Sequence, residues 1–116
     1  MNKRFKINKA IREYCSPRFR LDKNSVRINV HNKLPHEIGK LTKAYELISE
    51  GYEVYTEVVF KNGCRADIFV PEKLAVYEIL NSETEKEALE KTENYPEGLE
   101  IFTIKAEDLI KELYVS

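Results

Sequence analysis

The segment Leu74–Leu80 (Leu-Ala-Val-Tyr-Glu-Ile-Leu) is apolar almost throughout, with Glu78 as the lone charge. A run of this kind reads as a central strand covered on both faces. A strand so covered needs layers above and below the sheet, which points to an α/β architecture. Alternation places Leu74, Val76, Glu78 and Leu80 on one face and Ala75, Tyr77 and Ile79 on the other. A carboxylate inside such a run is costly unless a metal, a cation or hydrogen bonds compensate it.

The remaining elements are built around that strand. Leu34, Ile38, Leu41, Tyr45 and Ile48 fall on one helical stripe, with Ala44 and Leu47 in support. The spacing predicts a helix over 35–50, opened by Pro35 and closed by Gly51. Residues 52–60 and 64–70 read as two strands joined at Asn62-Gly63, a hairpin turn signal. Ser82 or Thr84 caps a further helix, Tyr95-Pro96-Glu97-Gly98 ends it, and residues 99–104 form a strand. Ala106, Leu109, Ile110 and Leu113 mark a last helix. The expected order is a helix, a three-strand mixed sheet, a helix, a strand and a C-terminal helix. The last strand follows a helical crossover, so it can run parallel to a neighbour.

Charge divides the chain unevenly. Residues 1–33 hold ten Lys/Arg against two Asp/Glu, and residues 34–116 hold nine against eighteen. The expectation is a basic N-terminal extension, 1–33, on a domain spanning 34–116. Within the extension, Ile7, Ala10, Ile11 and Tyr14 have helical spacing, and Ser25–Val30 alternates as an edge strand or ordered arm would. A basic segment on an acidic body fits contact with a polyanion. It equally fits neutralisation of its own body, or of a neighbouring copy in a homodimer. No apolar stretch approaches the roughly 20 residues of a membrane span, and none follows the basic N-terminus as a leader would. The two cysteines, Cys15 and Cys64, belong to no Cys-x-x-Cys pair. Reduced thiols in a cytoplasmic protein are expected.

Four acids stand out. Asp67 lies between Ala66 and Ile68 and raises the same question as Glu78. If their strands are neighbours, the two carboxylates meet and repel unless a proton or a divalent cation intervenes. Oxygen ligands suit Mg²⁺ or Mn²⁺. The bland alternative is a salt bridge to Arg65 or Lys40. Glu57 faces Asp67 if the hairpin loop has three residues, and Val58 does so if it has two. Glu37 sits in the first helical turn, where the helix dipole favours it. His36 and Lys40 read as surface residues.

These residues, in this order, resemble the PD-(D/E)XK nuclease superfamily. The matching positions are Glu37, then Arg65-Ala66-Asp67-Ile68, then Tyr77-Glu78-Ile79-Leu80. The stretch Gly51–Glu57 is similar to restriction-like members. The resemblance implies a restriction-endonuclease-like core and a metal-dependent DNA endonuclease. It implies Glu37, Asp67 and Glu78 as catalytic residues, with Asp67, Glu78 and Glu57 holding Mg²⁺ or Mn²⁺. DNA would be held by Lys3, Arg4, Arg18, Arg20, Arg27, Lys40, Arg65 and Lys86. Leu80 departs from the pattern, because the family keeps a lysine there. Either a lysine reaches in from elsewhere, with Lys86 and Lys40 as candidates, or Asn81 or Glu83 partly replaces it. Otherwise the domain has kept binding or assembly and lost cleavage.

Overall fold

A computed structural model describes residues 2–115. The elements are α1 (Lys3–Tyr14), α2 (Leu34–Ser49), β1 (Tyr55–Val59), β2 (Arg65–Val70), β3 (Ala75–Leu80), α3 (Glu85–Thr92), β4 (Glu100–Lys105) and α4 (Ala106–Val115). A single 3-10 turn, Pro71–Lys73, joins β2 to β3. The sheet order is β1-β2-β3-β4, antiparallel in its first two pairings and parallel in the third. The fold is therefore α/β with a four-strand mixed sheet flanked by helices. The sheet has four strands rather than three, because the strand after the crossover helix pairs with β3 along its whole length.

Two hydrophobic cores sandwich the sheet. Ala44 and Leu47 of α2, Ala106 and Leu109 of α4, and Ala75, Tyr77 and Ile79 of β3 build one. Ala10 of α1, Cys15, Phe60, Phe69 and Val76 build the other. Gly39 is where α2 comes closest to its neighbours. A Cβ there would lie 2.9 Å from Ile79 Cγ2 and 3.3 Å from Ala106.

Helix α2 forms as expected but is turned about its axis. Leu34, Leu41 and Tyr45 are 70%, 51% and 72% exposed, while His36, Glu37, Gly39, Lys40, Ala44 and Leu47 are buried. The buried face pairs a small apolar end with a charged end whose groups satisfy one another. That mutual compensation outweighs the pull of the larger aliphatic stripe.

Residues 2–33 pack against the rest of the chain. Ile7 is 1% exposed. Arg4 makes a two-point pair with Glu53, at 3.0 and 2.8 Å, and Lys3 reaches Gly51 O and Glu72. The segment before α2 contains no strand. Instead Asn24 exchanges hydrogen bonds with Val54, and Arg27 N donates to Thr56 Oγ1. These contacts cover the outer edge of β1, an edge that would otherwise be free to pair with another chain. The basic charges nearest the N-terminus are thus spent largely on the acidic body. Ile7→Ala is therefore expected to lower unfolding stability by about 2–5 kcal/mol, the usual cost of emptying a core site. A urea titration of the full chain measures it; an independent arm would give almost no change.

Candidate active site

The site forms where the sheet comes apart. Ile68 pairs with Tyr77, and the β2–β3 ladder stops there. One rung further, Asp67 and Glu78 are opposite each other. Their carboxylates take over the ladder's hydrogen bonds: Asp67 Oδ2 accepts from Ile79 N at 2.8 Å, and Glu78 Oε1 accepts from Asp67 N at 3.4 Å. The strands splay, and a pocket of about 360 Å³ opens, lined among others by His36, Glu57, Arg65, Asp67, Glu78 and Lys91.

The hairpin shapes the same place. Phe60 N donates to Cys64 O, which closes a three-residue loop and sets Glu57 across from Asp67. The rung itself is missing from the ladder, and Glu57 has φ 52°. A non-glycine residue in that region is strained and must be held by its surroundings. Across this rung both strands turn over: Tyr55 and Val58 share one core, as do Ala66 and Phe69. Alternation would separate both pairs.

What holds Glu57 is Lys40. This ammonium is wholly buried and lies 2.7 Å from Glu37 Oε2, 3.1 Å from Glu57 Oε1 and 2.5 Å from Arg27 O. Glu37 is fully engaged, accepting from Asn29 N and Asn32 Nδ2 and meeting His36 Nδ1 at 3.0 Å. Burial pushes the Glu37 carboxyl up, but Lys40, Asn29, Asn32 and His36 together hold it at about 2. His36 then bridges to Asp67, with Nε2 3.2 Å from Oδ2. That hydrogen bond raises the imidazole pKa against the opposing effect of burial. The path Lys40–Glu37–His36–Asp67 runs from the α2 interior to the pocket.

Glu78 has a different environment. Its carboxyl is hydrogen-bonded to Tyr95 Oη, which also lies within hydrogen-bond distance of Arg65 O and has one proton to share between the two. Among the described residues no cation lies within salt-bridge distance of it. Burial, followed by the nearby charge of Asp67, pushes its carboxyl well above the usual range. Lys91 on α3 lines the pocket and pairs with Glu83 at 2.8 Å. Its pKa is raised first by that bond and further by the fields of Glu78 and Asp67.

The structure therefore brings together Asp67, Glu78, Glu57 and Arg65, with Glu37 one hydrogen bond behind. Glu57 lines the pocket with its carboxylate committed to Lys40, so it is not a free metal ligand beside Asp67 and Glu78. Lys40 and His36 are interior, not surface, and Lys40 cannot reach a ligand in solution. Lys3 and Arg4 sit at the start of β1, tied to Gly51, Glu53 and Glu72. Arg20 and Arg27 both pair with Asp22, while Arg18 and Lys86 are exposed. His36, Lys91 and Tyr95 join the site without having been singled out for it. A signal for His36 exists: residues 36, 37 and 40 share a helix face with Ala44 and Leu47. Nothing in the sequence marks Lys91 or Tyr95.

A hard cation fits this donor set. Asp67 and Glu78 offer oxygen only, and Mg²⁺ commonly takes one or two carboxylates and keeps several waters. Among the described residues no group of three His, Cys, Asp or Glu side chains converges as a ready metal cage. Asp67 and Glu78 would be the protein's contribution.

The buried ion network makes a separate prediction. Lys40→Met leaves Glu37 and Glu57 buried without their cation and is expected to cost about 3–5 kcal/mol. It also changes the acid response. With Glu37 held at about 2, the wild type has its stabilisation in full above the ordinary carboxylate value and loses it as pH falls from about 4.5 towards 2. Lys40→Met flattens that slope in denaturant titrations run across the interval. Compared with protein-family models, curated proteins and solved structures, the chain has no match.

Proposed function

We propose that the protein is a metal-dependent DNA endonuclease with a restriction-endonuclease-like core. The observation that carries this reading is the Asp67–Glu78 pair at the splayed end of β2 and β3, with Glu78 buried and lacking a cation. Asp67 and Glu78 would hold Mg²⁺ or Mn²⁺. When bound, such an ion lowers the pKa of a coordinated water and stabilises charge on a phosphoryl oxygen. His36 fixes the Asp67 carboxylate, and Glu37 fixes His36. Tyr95 orients Glu78.

Lys91 supports catalysis over binding alone. Leu80 is buried and brings no charge to the pocket, whereas Lys91 lines it and would have to exchange its ion pair with Glu83 for a phosphate. Arg65, exposed at the rim, suits a DNA phosphate. The alternative is a nuclease-like module that binds DNA without cutting it, and the leucine at position 80 is what favours it. In that case DNA binding is salt-sensitive and survives Glu78→Ala.

The deciding assay incubates the protein with supercoiled, single-stranded and branched DNA in Mg²⁺ or Mn²⁺. Cleavage that Asp67→Ala abolishes and Lys91→Ala lowers by about 10²–10³-fold supports the reading, in line with the loss of one charge-stabilising group. No cleavage of any substrate, or cleavage indifferent to Asp67→Ala, refutes it.

Metal binding has its own readout. A carboxyl with a raised folded-state pKa contributes stability below its unfolded value and loses it as pH rises. At neutral pH, Glu78→Gln should therefore stabilise the metal-free protein by about 1–3 kcal/mol. Mn²⁺ should raise the melting temperature of the wild type and leave Glu78→Gln and Asp67→Ala unmoved. Equal shifts in all three would place the ion elsewhere.

A further inference from the structure

The pocket that holds Asp67 and Glu78 continues into a second groove. Asn29, Glu57 and Arg65 line both. Past these shared residues the wall changes character. Phe19, Ile28 and Val30 line it there and are 48%, 66% and 86% exposed. The groove measures about 340 Å³, the low end for a site that takes one small ligand. That is room for a single planar ring and not for a double helix.

The wall is fixed in place although it contains no strand. Arg27 N donates to Thr56 Oγ1, and the Arg27 guanidinium donates to Arg20 O and to Asp22, each at 2.7 Å. Asn29 N donates to Glu37, the carboxylate that also meets His36 and, through it, Asp67. One carboxylate thus sets the groove wall and the reactive pocket relative to each other. The ions of the groove are committed as well, with one exception. Glu57 is paired with Lys40 and Arg27 with Asp22. Among the described residues no carboxylate lies within salt-bridge distance of Arg65. Its side chain is exposed where groove and pocket join.

An uncompensated cation between a carboxylate pair and an exposed apolar wall matches the parts of one nucleotide. The phosphate belongs at Arg65 and the ring against Phe19, Ile28 and Val30. In a continuous duplex the bases are paired and stacked inward. Apolar side chains beside its backbone would then meet only sugar, phosphate and water. An unpaired base offers a free π-face next to its own phosphate, and an aromatic side chain beside a cationic track is how such strands are held. We infer that this groove is a subsite for an unpaired base, which makes the substrate class a DNA single strand, flap or overhang in place of a continuous duplex. The inference rests on the reading of the adjoining pocket as a DNA site and narrows it.

Fluorescence anisotropy of the full chain in metal-free buffer separates base from backbone. The probes are a short labelled DNA strand of mixed sequence, an abasic strand of the same length and the blunt duplex. The two strands carry the same phosphates, so the salt-dependent attraction cancels between them. The wild type should bind the natural strand about 10–100-fold more tightly than the abasic one, the range that stacking a base on an aromatic ring supplies. Phe19→Ala should remove most of that preference, and Phe19→Trp should keep it. If Phe19→Ala fails to fold, Ile28→Ser takes its place and should weaken the preference. Natural and abasic strands bound alike overturn the inference, and so does a wild type that favours the blunt duplex or a preference that Phe19→Ala leaves intact. A base preference in a chain that cuts no DNA supports the subsite and refutes the endonuclease. Cleavage that depends on Asp67, in a chain without base preference, supports the endonuclease and refutes the subsite.

Discussion

Lys40 is the group on which three parts of the molecule converge. Its ammonium ties α2 to β1 through Glu57 and to the N-terminal segment through Arg27 O. A buried charge is tolerable only when its partners satisfy it, and here two carboxylates and a carbonyl do so. That demand turns α2 about its axis, fixes Glu57 in a strained conformation and seats the loop before α2. The same demand reaches the pocket through Glu37 and His36.

The acids shielded from solvent differ in what compensates them. Glu37, Glu53, Glu57 and Glu83 each have a lysine or arginine at contact distance. Glu78 has a phenol and a backbone amide. Compensation that is complete around the pocket and incomplete at its centre is what separates a scaffold from a reactive position. Perturbed carboxyls in a cleft are where chemistry is sought on physical grounds, and the proposal of a nuclease rests on that contrast.

Much of the fold was legible because local rules and tertiary packing agree along most of the chain. The apolar run around Glu78, the Asn62-Gly63 turn and the cap at Thr84 each formed where their chemistry predicts. Asp67 and Glu78 met because the strands carrying them are neighbours. The orientation of α2 was not legible, since a hydrophobic stripe outweighs a charged one in any periodicity argument. Only the geometry of Lys40 among its partners reverses that weighting. For Ser25–Val30 the sequence left an edge strand and an ordered arm open, and the segment is the arm, held to Val54 and Thr56 by a mixture of backbone and side-chain bonds and no ladder. Lys91 and Tyr95 come from the far side of a crossover, and nothing local encodes where a crossover lands.

The turnover at Glu57 and Asp67 has an evolutionary consequence. Both strands of the hairpin reverse their faces at the same rung. Deleting one residue from either strand alone would present its remaining side chains to the wrong core. The two strands can therefore change length only in concert. The three-residue tip at Lys61–Gly63 is bound by the same rule, because its length sets that register, so the tip and the rung that carries the acids are inherited as a unit.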